Sequence, residues 1–434
     1  MGYKKSYYNI WSNTNDGKHI IYNTLADSIS IVDDSLKENI LNNRFSSIDD
    51  TVLNSLLMEG VIVDEKIDEL EVYNYELEKQ KYSNDLFHCM ITTTLNCNCN
   101  CKYCFQQDIE KTSNERSFYK PIRKFITSEV QRNNIKETLI DFFGGEPFLE
   151  WKYIQEEISY YIKNIKKVKF RFYTNGTLLD DEKIHYLKSN KKYIKDLQIT
   201  LDGIKEIHDS LRPLKNGKSC YDEIVSNLKK LKENDIKYVI RINFDIKSYK
   251  SIENLLVELE KNNLKDSSIA FYPVQAMTSG CSHYKDAVDN KEIVRIMIEL
   301  TKLAYDKGFK ISLRPNKSLV YCTASCNNSY IINTKLEVYK CALLQENKKF
   351  IIGKISEDGN LYNKTKEFYN WMSKNPSKIN KCSKCTLLPL CGGGCSGSAI
   401  GKYGTYECAN CYDMSVSYIK ERVKLYYLKR YKGE

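Results

Sequence analysis

The sequence predicts an α/β protein: a partial (β/α)6 barrel with an N-terminal winged-helix-like module and an irregular C-terminal domain. Three observations carry this prediction. Between about residues 86 and 315, strand-like and helix-like runs alternate six times, which implies a parallel sheet. Before that region, residues 3–80 show short strand-like runs followed by helical patterns. From about residue 320 the alternation stops, and cysteine and glycine dominate to residue 411. The boundaries expected are 1–82, 83–315 and 316–434.

In the first module, 7–11, 19–23 and 28–32 read as strands, with Asn15-Asp16-Gly17 as a hairpin turn. Segments 33–41 and 48–59 read as helices, the second capped by Ser47 or Asp49. Segment 61–63 reads as a short strand closing the unit, and the charged run 67–82 as a helix leading onward. The barrel strands expected are 88–94, 138–143, 168–174, 196–201, 238–244 and 268–273. Helical patterns between them include 154–165, 221–233, 252–262 and 294–305. The cysteine-rich stretch would be hard to hold by an apolar core alone, so metal clusters are expected as its cross-links. A Lys/Arg/Tyr-rich helix closes the chain.

With 434 residues, the length suits two or three domains, and 42% hydrophobic residues is ordinary for a globular protein. No apolar run is long enough to span a bilayer, and Met1-Gly2-Tyr3-Lys4-Lys5 leads into no apolar signal segment. A cytoplasmic protein without a membrane partner is expected. Sixteen cysteines in a reducing compartment point away from disulfides, and thirteen of them cluster at 97–104 and 322–411, which points to metal ligation. The net charge of +10 comes from lysines spread along the chain without a concentrated block. These read as solvated helix faces, and no nucleic-acid partner is expected.

Directly after the first barrel strand comes Cys97-Asn98-Cys99-Asn100-Cys101-Lys102-Tyr103-Cys104. Cys97, Cys101 and Cys104 have the spacing C-x3-C-x2-C. Three thiolates can hold three irons of a [4Fe–4S] cube and leave the fourth open to a small molecule; zinc is the other reading of such a run. Because the loop follows a strand, it sits at the end where barrels of this kind keep their active sites. After the second strand, Gly144-Gly145-Glu146-Pro147 lets a ligand approach the backbone closely, with a formal charge at Glu146; taken alone it is also a turn. Thr174-Asn175-Gly176 follows the third strand. Thr200-Leu201-Asp202-Gly203 follows the fourth, and its Asp202 either meets a ribose hydroxyl or caps a turn. On the fifth strand, the period of two puts Arg241 and Asn243 on one face. Facing inward, they need partners such as a ligand carboxylate or ribose.

These pieces occur in order and at one end of one sheet. From about 86 to 315 the chain resembles a radical S-adenosylmethionine (SAM) enzyme, in the C-x3-C-x2-C loop, the Gly-Gly-Glu-Pro turn, Thr-Asn-Gly-Thr-Leu-Leu at 174–179 and Leu-Asp-Gly at 201–203. The resemblance implies a cube on Cys97, Cys101 and Cys104 whose open iron binds the amino and carboxylate groups of SAM. It implies that Tyr103 borders the adenine and that Gly144, Gly145, Glu146 and Pro147 bind the methionine amino group. Thr200, Asp202 and Arg241 are implied as further SAM contacts, and a flavodoxin or ferredoxin as electron donor.

Cys382-x2-Cys385-x5-Cys391-x3-Cys395 is preceded by Cys322, Cys326 and Cys341 and followed by Cys408 and Cys411. This pattern resembles the SPASM extension, which holds two auxiliary [4Fe–4S] clusters. The resemblance implies one cluster on Cys322, Cys326, Cys341 and Cys395. It implies a second on Cys382, Cys385, Cys391 and either Cys408 or Cys411, making three cubes in all. Two zinc sites are the alternative. Cys89, Cys99, Cys220 and Cys281 have no assigned role and read as small buried hydrophobes. Two positions depart from the family pattern. Leu336 stands where many SPASM proteins have glycine, five residues before the cysteine matching Cys341. Ala342 stands where sulfatase-maturing enzymes carry a basic aspartate, and an alanine cannot accept a proton.

Residues 3–80 resemble the leader-recognition module of maturases of ribosomally made peptides, which would bind an extended leader at its sheet edge. The function expected is that of a radical SAM peptide maturase closing a crosslink in a precursor peptide, as a thioether to a substrate cysteine or as a C–C bond. The rivals are formylglycine formation and a non-catalytic iron–sulfur protein that transfers electrons or binds peptides.

Overall fold

The computed structural model describes residues 2–14, 16–111, 116–406 and 415–433. Strand β1 (Tyr3–Lys5) precedes an antiparallel sheet of β2 (Asn9–Asn13), β3 (His19–Asn23) and β4 (Ser28–Val32), in that order. Asn15, the first residue of the expected turn, lies outside the described residues. β3 is buried along its whole length. Its Ile20 and Tyr22 pack against Leu387, Leu390, Ile419 and Val423 from the C-terminal region, while Ile21 packs against Ile40, Phe45 and Leu56. A strand covered on both faces needs no polar alternation, which is why its centre, Ile20-Ile21-Tyr22, is a continuous apolar run. Asp33 caps helix Asp34–Leu41 through the Leu36 N–H, and Asp49, of the two caps offered, holds helix Asp50–Met58. β5 (Ile62–Asp64) pairs with β1 and not with the three-stranded sheet, Tyr3 opposite Asp64. Helix Glu69–Lys81 leads to the central sheet.

That sheet opens with six parallel strands: β6 (Leu86–Thr94), β7 (Glu137–Gly144), β8 (Val168–Thr174), β9 (Ile194–Thr200), β10 (Tyr238–Phe244) and β11 (Ser268–Pro273). Side chains alternate along them. Ile140, Phe142, Phe170, Phe172, Leu197, Ile199, Ile240 and Ile242 share a core with Ile154, Ile158, Leu187, Ile224, Leu228, Leu255 and Leu256 of the flanking helices. The opposite face carries His88, Asp141, Arg171, Tyr173, Asp196, Gln198, Arg241 and Asn243. Several of these polar groups pair with one another: His88 Nε2 lies 2.8 Å from Asp141 Oδ2, and Arg171 Nε donates to Asp196 Oδ1 at 3.2 Å. The α/β architecture expected from the alternation is therefore present. Between the six strands, helices Arg116–Arg132, Asp181–Ser189 and Lys205–Leu211 add to those named from the sequence. The first holds Pro121, a residue that speaks against a helix interior because it removes a hydrogen bond.

The C-terminal stretch is less irregular than its composition suggests. β12 (Ser329–Ile332) lies parallel to β6, Ser329 opposite His88. β13 (Glu337–Tyr339), β14 (Gly353–Ile355) and β15 (Leu361–Tyr362) follow antiparallel, extending the sheet to ten strands. These strands are only two to four residues long, too short for periodicity to show. Leu336, in the β12–β13 turn, has φ +59°, the left-handed region where glycine carries no Cβ penalty. The departure noted in the sequence thus falls at a position whose backbone suits glycine. Helix Val416–Tyr427 returns to cover β2 and β3 through Ile419 and Val423. Among the described residues, no helix is long and apolar enough to cross a membrane.

Candidate active site at the strand ends

The cysteine loop leaves β6 and runs antiparallel to 211–215: Asn100 N–H donates to Pro213 O at 2.8 Å, Lys102 N–H to Leu211 O at 2.9 Å, and Lys215 N–H to Asn98 O at 2.8 Å. This pairing fixes the loop across the mouth of the sheet. Cys97, Cys101 and Cys104 line one cavity there, of about 370 Å³, together with Tyr103, Gly144, Gly145 and Thr200. Burial pushes the Cys101 thiol up to about 12, opposed by the Arg212 guanidinium; a bound metal reverses such a shift, because it binds the thiolate. Cys99 also touches the cavity, and Cys89, Cys99, Cys220 and Cys281 are all buried.

Gly144 and Gly145 sit against the end of β6. A Cβ on Gly144, at φ +144°, would stand 2.1 Å from Thr94 O, and one on Gly145 2.2 Å from Asn96 O. The N–H groups of Gly145 and Glu146 donate to those same two carbonyls at 2.9 Å. The glycines therefore bring two strand-end loops together as well as facing the cavity. Glu146 and Pro147 are buried outside the cavity lining. The Glu146 carboxylate turns inward, accepting from Asn175 N–H at 2.7 Å, Thr174 Oγ1 at 2.8 Å and Phe148 N–H at 3.1 Å. Burial lifts its carboxyl to about 7 against those hydrogen bonds. Asn175 continues the chain of contacts: its Nδ2 donates to Asn98 Oδ1 at 2.7 Å and to Cys99 Sγ at 3.3 Å.

Asp202 is also buried outside the lining. It accepts from the Tyr103 hydroxyl and from Asn243 N–H at 3.0 Å, and lies 3.8 Å from Arg212 Nε. Burial lifts its carboxyl to about 6, with Arg212 opposing. The Asp202 N–H donates to His208 Nδ1 at 3.1 Å, which makes Nδ1 an acceptor. Burial holds His208 neutral by lowering its pKa to about 3, so its proton is on Nε2, 3.5 Å from Cys220 Sγ.

Arg241 reaches into the cavity and meets only neutral groups: Nε donates to Asn243 Oδ1 at 2.8 Å, Nη1 to Gln198 Oε1 at 3.2 Å, and the guanidinium lies 3.8 Å from the centre of the Tyr272 ring. Among the described residues no carboxylate pairs with it. A half-buried cation beside an open cavity suits an anionic ligand group. Sequence reasoning did not single out Arg212, whose Nη1 donates to Tyr103 OH at 3.0 Å beside the cysteine loop. It follows a short helix in no recognisable motif. Gln198 and Tyr173, also in the lining, have only their place on the polar face of β9 and β8 as a signal.

Cys322, Cys326, Cys341 and Cys395 converge below β12. Gly397 lies against two of the sulfurs: a Cβ there would stand 2.7 Å from Cys341 Sγ and 3.8 Å from Cys395 Sγ. Cys322 is an electrostatic neighbour of both Cys326 and Cys341. Cys382, Cys385 and Cys391 lie near the buried Tyr8 and Tyr73 of the N-terminal segment, and Cys326 packs against the same apolar cluster as Cys382. Cys408 and Cys411 lie outside the described residues. Ala342 opens a short turn ending at Leu344, and Leu343 within it lines the cavity.

The profile of the Radical SAM superfamily matches residues 91–257. The chain is 26% identical over 400 residues to a radical SAM cyclopropyl synthase, TigE, of Paramaledivibacter caminithermalis, covering 83% of this chain and 80% of that protein. It is 25% identical over 368 residues to a cysteine-type anaerobic sulfatase-maturating enzyme of Clostridium novyi, covering 77% of this chain and 95% of that one. Among solved structures, it resembles anSMEcpe with bound AdoMet and the Cp18Cys peptide at TM-score 0.64 and 18% identity, over 80% of this chain and 98% of the other. It resembles Streptococcus suis SuiB bound to its precursor peptide SuiA at TM-score 0.56 and 16% identity, over 95% and 99%. The structural likenesses show the fold.

Proposed function

We propose that this chain, an enzyme with a radical SAM domain over residues 91–257, matures a ribosomally made peptide. The observation that carries the reading is the one cavity shared by Cys97, Cys101, Cys104 and Arg241, whose guanidinium hydrogen-bonds only neutral groups. Likeness to two structures that hold peptides supports the substrate class.

The three thiols would hold a [4Fe–4S] cluster with an open iron, and their convergence with a half-buried guanidinium fits that group. When bound, the reduced cluster and SAM supply a 5′-deoxyadenosyl radical that takes a hydrogen atom from the peptide. Arg241 would bind the methionine carboxylate or a ribose hydroxyl. Gly144 and Gly145 would leave room for the methionine ammonium, while Glu146 and Asn175 hold their loop against the cysteine loop. Tyr103, fastened by Asp202 and Arg212, would border the adenine. Two auxiliary [4Fe–4S] clusters are proposed, one on Cys322, Cys326, Cys341 and Cys395, the other on Cys382, Cys385, Cys391 and Cys408 or Cys411. A flavodoxin or ferredoxin is the proposed electron donor.

The bond proposed is a thioether to a peptide cysteine. Ala342 supports it over formylglycine formation, because the residue that would act as base is absent. A C–C closure is the second reading, favoured by the likeness to a cyclopropyl synthase. The leader would pair with β4, the free edge of the N-terminal sheet, since β2 is covered by helix Val416–Tyr427. Reconstituted protein, SAM, reductant and a candidate precursor peptide test the reading. Expected are 5′-deoxyadenosine and a peptide lighter by two hydrogen atoms. A product that no longer reacts with iodoacetamide contains the thioether, and one that still does has closed between carbons. No 5′-deoxyadenosine at all would rule out the catalytic reading in favour of a non-catalytic iron–sulfur protein.

A further inference from the structure

Lys340, next to Cys341, is only 2% exposed. Its Nζ donates to three backbone carbonyls, Cys326 O at 2.7 Å, Ser329 O at 2.8 Å and Asn327 O at 3.2 Å. Three acceptors use all three protons of an ammonium, and Lys offers no acceptor of its own. The ammonium also lies 4.9 Å from the centre of the Tyr330 ring and 5.5 Å from that of Phe368. Among the described residues no carboxylate pairs with it. Its electrostatic neighbours are the sulfurs of Cys326 and Cys322 and the Lys364 ammonium. Carbonyl dipoles solvate a buried cation, but its net charge stays uncompensated, and an uncompensated buried charge is costly.

Two further buried lysines surround the same cysteines. Lys374 Nζ donates to Gly394 O at 3.0 Å and to Ser396 Oγ at 2.8 Å, on either side of Cys395. Lys81 Nζ donates to Lys374 O at 3.2 Å and to Glu78 at 3.1 Å. Both are electrostatic neighbours of the cysteine set: Lys374 of Cys322, and Lys81 of Cys326. The fold thus gathers three lysine side chains around four thiols and buries them together.

Resting on the assignment of an auxiliary [4Fe–4S] cluster to Cys322, Cys326, Cys341 and Cys395, we propose that Lys340 is its counter-charge and raises its reduction potential. Four thiolates give a cube a net negative charge that grows by one on reduction, and a fixed cation nearby favours the reduced form. The consequence bears on the end of the reaction. When a carbon radical bonds to a thiol sulfur, the S–H proton is released and one electron is left over. Held by these four cysteines, a cluster of raised potential would be the one-electron acceptor for that electron. Leu343, two residues after Cys341, lines the cavity, so the turn that follows this cysteine reaches the reacting space.

The test is an EPR-monitored redox titration of the anaerobically reconstituted full chain, with iron and zinc analysed on the same samples. Lys340→Met is expected to lower the auxiliary midpoint so that, at a fixed potential, the reduced-to-oxidised ratio falls about tenfold, equivalent to about 59 mV for one electron. Lys340→Arg is expected to restore it. Lys364→Glu, a change at an exposed position, places an anion near Lys340 and is expected to shift the midpoint the same way by less. An unchanged midpoint in Lys340→Met and Lys364→Glu, with iron at the wild-type level, overturns the proposal and leaves the cluster assignment standing. Zinc in place of auxiliary iron in the wild type overturns both.

Discussion

The Glu146 carboxylate, carried by the loop after β7, accepts the backbone N–H of Asn175 from the loop after β8 at 2.7 Å. Asn175 in turn grips Asn98 and Cys99 of the cysteine loop. A charged residue that reads as a ligand contact thus acts as a tie between the ends of three neighbouring strands.

This tie is pH-dependent. Burial raises the Glu146 carboxyl from 4.5 to about 7. A folded-state value above the unfolded one means that the group favours the fold most below about pH 4.5, and that this advantage is lost as the pH rises through 7. Glu146→Gln removes the titration. The stability of the wild-type apoprotein relative to Glu146→Gln is expected to fall by on the order of 2–3 kcal/mol between about pH 4.5 and 8. Urea unfolding of both proteins across that range checks it.

Tyr103→Phe deletes the hydroxyl that links Asp202 to Arg212. It leaves a buried carboxylate short of a donor, at about 1–3 kcal/mol. A lower Tm and weaker equilibrium SAM binding are expected, with iron content retained. Loss of iron would mean that the hydroxyl, through Asp202 and Arg212, also shapes the cysteine loop.

Gly144→Ala forces a Cβ to 2.1 Å from Thr94 O at a backbone angle that alanine avoids. Backbone cannot yield as a side-chain tip can, so the cysteine loop must shift. The variant is expected to bind less than half the wild-type iron under identical reconstitution, measured by metal analysis. Full iron would show that the loop tolerates the displacement.

Arg241→Leu removes a guanidinium that meets only neutral groups. Loss of one charge-assisted contact to the SAM carboxylate is worth about 1.5–3 kcal/mol, or roughly 10- to 150-fold in affinity. Calorimetric titration with SAM and with decarboxylated SAM separates the outcomes: equal weakening of both would move Arg241 from carboxylate to ribose or peptide.

Ile31, at the free edge of the N-terminal sheet, is 36% exposed. Ile31→Arg is expected to weaken precursor-peptide binding at least tenfold while leaving peptide-free SAM cleavage unchanged. Fluorescence anisotropy of a labelled leader checks the first, and 5′-deoxyadenosine release the second. Deleting the module would be a poorer test, because Ile20 and Tyr22 share a core with Leu387, Ile419 and Val423 and removal would expose that core.

The sequence by itself determined the six parallel strands, because alternation of period two against helical spacing is a local property of the chain. It determined the order of the strand-end motifs too, since each loop must follow its own strand to one end of the sheet. Other features were decided by tertiary structure. Glu146 and Asp202 are charged in any sequence reading, yet burial and the donors that Asn175, Thr174, Tyr103 and Asn243 bring from other strands turn both away from the cavity. Arg212 and Lys340 acquire their places through contacts far along the chain, which no spacing rule records. Strands β12 to β15 needed the edge of β6 to pair with, and helix Val416–Tyr427 needed the N-terminal sheet to cover. A residue's charge and its place in a strand are written locally, whereas what the charge faces is set by the segments that pack around it.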